Sequence, residues 1–209
     1  SQRPDLIGDG LSVLLDASLG ALKDVATNNL QPVHGFEVVE LADIVKPNLY
    51  SAAIEYGTGV LYINASETLD LTPKELVNQS SIYLYDLDKN ESYYIYMSSS
   101  VLTTVDSTLV KLQLTEVSRA AAIKMSGDIT SGGDGTPIVL TILSGAFRDL
   151  VENLNVPKFN LVVAETPDKI PPKVLKVVFN AEIGGRGCGF PQCGAIIITF
   201  SEILDLSLL

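Results

Sequence analysis

The chain has 209 residues, with 14 Lys and Arg against 25 Asp and Glu, and a formal net charge of −11. That balance excludes an interface built on phosphate neutralisation, whether on nucleic acid or on an anionic membrane, because both need a basic patch. Only 19% of residues are charged and the mean hydropathy is +0.29, so an apolar excess has to be buried in a core, against a partner or around a ligand. The longest apolar run, AIIITF at 195–200, falls far short of the ~18 residues of a membrane span.

In chain order, residues 6–30 place Ile7, Leu11, Leu14, Leu22 and Val25 at mostly three- and four-residue steps, widened by Leu15, Leu19 and Ala26. That spacing predicts a long amphipathic helix, with Pro4 and Asp5 at its start and Asn28, Asn29 and Pro32 at its end. Gly8, Gly10 and Gly20 each weaken it by about 1 kcal/mol relative to Ala.

Almost everything beyond reads as β-strand. Residues 36–46 read as a first strand or a lead-in, and 49–56 and 59–64 flank a Gly-Thr-Gly turn. Residues 81–97 read as a hairpin around Asp88–Glu91. In 108–117, Val110, Leu112 and Leu114 alternate with Lys111, Gln113 and Thr115, which predicts a half-buried strand. Strands follow at 120–129, 137–143 and 159–164, and 174–183 with 195–204 read as a closing hairpin. Short helical patterns occupy 69–77 and 146–154. No repeat with a period of 20–50 residues and no low-complexity linker is visible, so residues 1–209 are expected to form one domain. The expected fold is α+β and β-rich: a long N-terminal amphipathic helix packed against a strongly curved, mainly antiparallel sheet.

Motifs that carry chemistry are sparse. His34 is the sole imidazole, and no nucleophile elbow, phosphate loop, calcium loop or zinc signature is present. The expectation is no enzyme, no catalytic residue and no metal. Cys188 and Cys193, with four residues between them in GGRGCGFPQCG, suit a disulfide in an oxidising compartment. Sequons at Asn64, Asn78 and Asn90 point to a secreted glycoprotein, and the start at Ser1 reads as a processed chain or as one freed of a tag. Five of the eight tyrosines (Tyr83, Tyr85, Tyr93, Tyr94 and Tyr96) cluster in one hairpin, suited to cross-strand pairing or to cradling a flat ligand.

A helix running into a Leu-x-Pro exit, from Gly10-Leu11 to Leu30-Gln-Pro-Val33, with alternating strands at 93–97, 108–117 and 120–129, resembles the takeout, juvenile-hormone-binding and group 7 mite-allergen family. The chain departs from that family in lacking paired Cys near its N-terminus and in ending on an Ile/Leu strand where the family has a second long helix. The resemblance implies a secreted, non-catalytic carrier of an elongated hydrophobic ligand such as a fatty acid, terpenoid, sterol or carotenoid. The candidate lining is Leu11, Leu15 and Leu22 from the helix, Tyr83, Tyr94 and Tyr96 from the hairpin, and Val110, Leu112 and Leu114 opposite. No cofactor is expected beyond such a bound lipid or carotenoid. A second expectation is a structural or adhesive extracellular β-rich module that forms a homo-oligomer or binds a protein partner, because the apolar segment 196–209 needs a cover.

Overall fold

The computed structural model describes residues 12–88, 93–180 and 194–204. Strands β1 (Leu14–Ala17) and β2 (Val33–Glu37) pair as an antiparallel ribbon. Then come β3 (Leu49–Glu55), β4 (Val60–Leu69), β5 (Ile82–Asp86), β6 (Ile95–Tyr96), β7 (Val101–Leu102) and β8 (Ser107–Gln113). Helix α1 (Glu116–Lys124) leads to β9 (Ile138–Ile142) and β10 (Lys158–Thr166). A second ribbon, β11 (Val174–Asn180) with β12 (Ala195–Phe200), follows.

Strands β3 to β10 form one eight-stranded sheet in the order β6-β5-β9-β10-β3-β4-β8-β7. Its pivot is β10. Up to Val162 this strand runs antiparallel to β9, and from Val163 onward it runs parallel to β3. Changing partners along one strand curls the sheet around a single core. Period-2 alternation decides what enters that core. Ile82 and Leu84 of β5, Leu61 and Ile63 of β4, and Val110 and Leu112 of β8 are all fully buried. Each such side chain contributes about 1.5–3 kcal/mol by leaving water. All five residues of β9 are buried, as expected of a strand covered on both faces.

The N-terminal helix expected from 6–30 is not formed: residues 14–17 are strand and pair with 33–37. The reason is local. Gly20 takes a left-handed φ of 74°, which ends any helix there. Asp24 then closes a tight loop by accepting from the backbone and side-chain nitrogens of Asn28. The fold is therefore not a helix wrapped by a sheet, and the only α-helix among the described residues is α1. It replaces the strand expected at 120–129. Thr115 caps it by accepting from the Ser118 N–H, Glu116 lies in its first turn and Lys124 in its last. The helical turns expected at 146–154 are likewise a loop, closed by the Arg148–Leu154 bridge.

The two ribbons reproduce parts of the central sheet. Leu14, Leu15 and Ala17 face Glu37, Phe36 and Val33; 125 positions on, Val139, Leu140 and Ile142 face Val162, Leu161 and Lys158, with the register shift at the same place. Left-handed residues Gly20, Thr27 and Gly35 (φ 74°, 69°, 61°) are matched by Gly145, Glu152 and Asn160 (78°, 69°, 54°). Ribbon β11–β12 repeats β3–β4 in the same way: Ala52 facing Ile63 and Ile54 facing Leu61 become Val177 facing Ile198 and Phe179 facing Ile196. Even the entry is shared, since Asn48 N–H donates to Ser66 Oγ as Lys173 N–H donates to Ser201 Oγ. The sequence follows suit, with GALKDVATNNLQP at 20–32 against GAFRDLVENLNVP at 145–157, and ASETLDL at 65–71 against FSEILDL at 200–206. The connection between the paired strands differs, spanning 56–59 in one copy and 181–194, with both Cys, in the other.

Candidate functional site

The residues expected to line a ligand cavity do not converge. Leu15 and Leu22 lie on the N-terminal ribbon and its loop, 53% and 69% exposed, and Leu11 lies outside the described residues. Val110, Leu112 and Leu114 belong to the packed core. Tyr83, Tyr94 and Tyr96 do meet, and with Tyr85 they form a ring cluster at centroid distances of 5.0–6.1 Å. Tyr83 and Tyr85 alternate with the buried Ile82 and Leu84, so the cluster stands on the outer face of β5 and β6, away from Val110 and Leu112. This is the cross-strand pairing that sheets use on an open face. Asn78 is exposed and accepts from Ser80 Oγ, whereas the Asn64 Nδ2 is tied to Ser51. Asn90, Cys188 and Cys193 lie outside the described residues.

The polar chemistry gathers instead where the sheet meets the second ribbon. Arg119, on α1 and only 7% exposed, is the hub. Its Nε and Nη2 donate to both oxygens of Glu116 at 2.7 and 2.8 Å. Nη1 donates to the Tyr56 carbonyl at 3.0 Å and to Asp168, and Nη2 reaches Glu202 at 3.0 Å. Glu116 in turn accepts from the Ile203 N–H at 2.8 Å. One planar guanidinium thus joins a helix, the linker after β10 and the end of β12, a task suited to its fixed fork of donors. The hydrogen bond from Arg119, followed by that from Ile203, holds the Glu116 carboxyl below its ordinary range. Glu116, and after it Glu202 and Asp168, push the Arg119 pKa further up.

Beside this hub, Glu165 accepts from Tyr56 Oη at 2.8 Å, from Ser126 Oγ and from Gly127 N–H at 3.1 Å. Burial and then Glu165 raise the Tyr56 phenol well above its ordinary value.

Towards the far end of β4, Asp43, Glu67 and Asp149 bring carboxylate oxygens within 4.8 Å of one another. Asp149 is buried, and it accepts from the N–H groups of Val151 and Asn153 and from the Asn153 side chain. Asp43 accepts from Val45 N–H. Glu67 Oε1 is buried without a hydrogen-bond partner, and burial, then Asp149 and Asp43, raise its pKa. This end is related to the Arg119 hub by the same repeat. Asp43 corresponds to Asp168, whose carboxylate likewise accepts from the N–H two residues on, and Glu67 corresponds to Glu202 in the shared Ser-Glu-x-Leu segment.

Sequence reasoning missed both clusters, because the partners of Arg119 lie 49 and 83 residues away along the chain. A comparison of the chain with itself at an offset of 125 would have paired Asp43 with Asp168 and Asp24 with Asp149. No family model, no curated protein and no solved structure matches this chain.

Proposed function

We propose that the chain is part of a tandem array of β-modules with a structural or adhesive, non-catalytic role outside the cell. One module corresponds to β3–β10, the N-terminal ribbon to the last two strands of another copy, and the C-terminal ribbon to the first two strands of a third. One observation carries this reading: positions that form the core of the module recur, in the same register, as open faces of the ribbons. Leu49, Ile54, Leu61 and Ile63 are 0–1% exposed, and their counterparts Val174, Phe179, Ile196 and Ile198 are 47–67% exposed. Leu140 and Phe147 are 0% and 1% exposed, and their counterparts Leu15 and Leu22 are 53% and 69% exposed.

A two-stranded ribbon is marginal alone, and a contiguous apolar face marks a surface that something covers. The elements that cover β3–β4 and β9–β10 inside the module are the occupants of matching shape. Arrays of this kind add stability copy by copy and present extended surfaces. The exposed sequon at Asn78 supports an extracellular setting. The carrier reading loses its main support, since the helix that was to form one wall of the cavity is absent.

Appending residues 70–166 after residue 204 supplies the strands that the C-terminal ribbon lacks. Amides of 174–200 should then become as protected from hydrogen exchange as those of 49–69. Unchanged exchange there would sink the array, and a stoichiometric apolar molecule in an organic extract of the purified chain would favour a carrier.

A further inference from the structure

The repeat relates the two clusters of charge, and on one of them a cation is already seated. Asp168 and Glu202 hold the guanidinium of Arg119. Their counterparts Asp43 and Glu67 bring carboxylate oxygens together one copy earlier, with the buried Asp149 added from the loop after β9. Glu67, which offers one carboxylate oxygen to this cluster, has its Oε1 buried with no hydrogen-bond partner, a costly state for a carboxylate oxygen. We infer that the Asp43–Glu67–Asp149 cluster is the receiving half of an inter-module joint, and that its occupant is the guanidinium of the arginine at the Arg119 position in the preceding copy.

The inference rests on the array reading and adds to it the bond that fixes each module against the next. The chemistry of the occupant follows from the seated example. A guanidinium can meet two carboxylates at once while its remaining donors stay with the helix that carries it, as Arg119 stays with Glu116. In the array each joint therefore repeats one pattern: linker Asp and strand Glu from one module, Arg and Glu from the helix of the module before it. The joint is polar while the faces beside it are apolar, so apolar cover supplies the contact area and the ion pairs fix its register.

The test joins residues 47–137 ahead of residue 13 of the chain, which supplies a complete preceding copy with its own arginine. The readout is the titration of the Glu67 carboxyl by carbon NMR, with hydrogen exchange of residues 14–37 as the check that the added copy has folded onto β1–β2. Proton affinity of Glu67 should fall about tenfold or more when the copy is present, because a paired cation favours the ionised form. Arg119→Ala in the added copy should restore it, and Arg119→Lys should restore it in part. A double-mutant cycle of Glu67→Gln with that Arg119→Ala, read as urea stability, should be non-additive. If residues 14–37 become protected but Glu67 titrates as before, the joint is wrong and the array stands. If the fall appears with millimolar Ca2+ alone and ignores Arg119→Ala, the cluster is a metal site and the inference is overturned. If residues 14–37 stay unprotected, the array reading falls and takes this one with it.

Discussion

Thr27 and Glu152 stand 125 positions apart and share a left-handed φ of 69°. Each closes a loop in which the aspartate three residues earlier, Asp24 or Asp149, accepts from both nitrogens of the following asparagine, Asn28 or Asn153. Non-glycine residues seldom take positive φ, so the coincidence marks one structural unit used twice. The two uses differ in cover: Asp149 is 3% exposed, whereas the loop around Asp24 is open to water. Asp149→Ala should cost about 2–4 kcal/mol in urea unfolding, since several hydrogen bonds to a buried charge are lost. Asp24→Ala should leave the midpoint where it is. Equal losses at the two sites would mean that the loops do not differ in burial.

Arg119→Ala removes the one cation that, among the described residues, pairs with Glu116, Asp168 and Glu202, and leaves them without it. The expected loss is about 3–5 kcal/mol. Hydrogen exchange should quicken in 174–200 more than in β9. Arg119→Lys should recover less than half of the loss, because a single ammonium cannot span the same partners. Full recovery by Lys would show that charge alone, without the fork geometry, holds the ribbon.

Two glutamates should shape stability against pH in opposite senses. Glu116 lies below its ordinary value of 4.5 in the folded chain, so its contribution is present above 4.5 and is lost as pH falls through the lowered value. Glu67 lies above 4.5, so its ionised form is a burden at neutral pH that disappears on acidification through the raised value. Glu67→Gln should therefore be more stable than wild type at pH 7, with the gap closing towards pH 4. Glu116→Gln should be less stable at pH 7 and should converge with wild type only below 4.5. Urea midpoints from pH 7 to pH 3 distinguish the two, and parallel curves for wild type and Glu67→Gln would remove the burden assigned to Glu67.

Matched positions in the module and the ribbon should answer differently to the same substitution. Ile54→Ala opens a cavity in a residue 1% exposed and should cost about 2–5 kcal/mol. Phe179→Ala, at the corresponding position but 65% exposed, should change stability by no more than about 0.5 kcal/mol. Phe179→Lys with Ile198→Lys should also reduce any concentration-dependent mass in light scattering, by placing charge on the open face. Unfolding of the chain by that pair would show that the face is already covered.

Much of the sheet is legible in the sequence. Alternation of Val110, Leu112 and Leu114 with polar neighbours marks the buried face of β8, and the runs at 49–56 and 174–183 mark strands that the structure contains over Leu49–Glu55 and Val174–Asn180, with 181–183 outside the described residues. The Thr115 cap and the unalternating Ala120-Ala121-Ala122 were available as signs of α1, although β-branched neighbours on both sides suggested a strand. The segment 13–37 was not legible by periodicity, because a short apolar run fits a helix face and a ribbon equally well and its strand partner lies some twenty residues away.

The sequence by itself determined which side chains share a face, because the two-residue period of a strand is local, and it held the 125-residue recurrence in its own self-similarity. Only the tertiary structure decided which of those faces are core. Ile54 and Phe179 occupy one position in one register, yet one is buried and the other is open. Burial belongs to whatever packs above a strand: Ile54 shares a core cluster with residues as far along the chain as Phe147 and Val163, whereas Phe179 is left 65% exposed among the described residues.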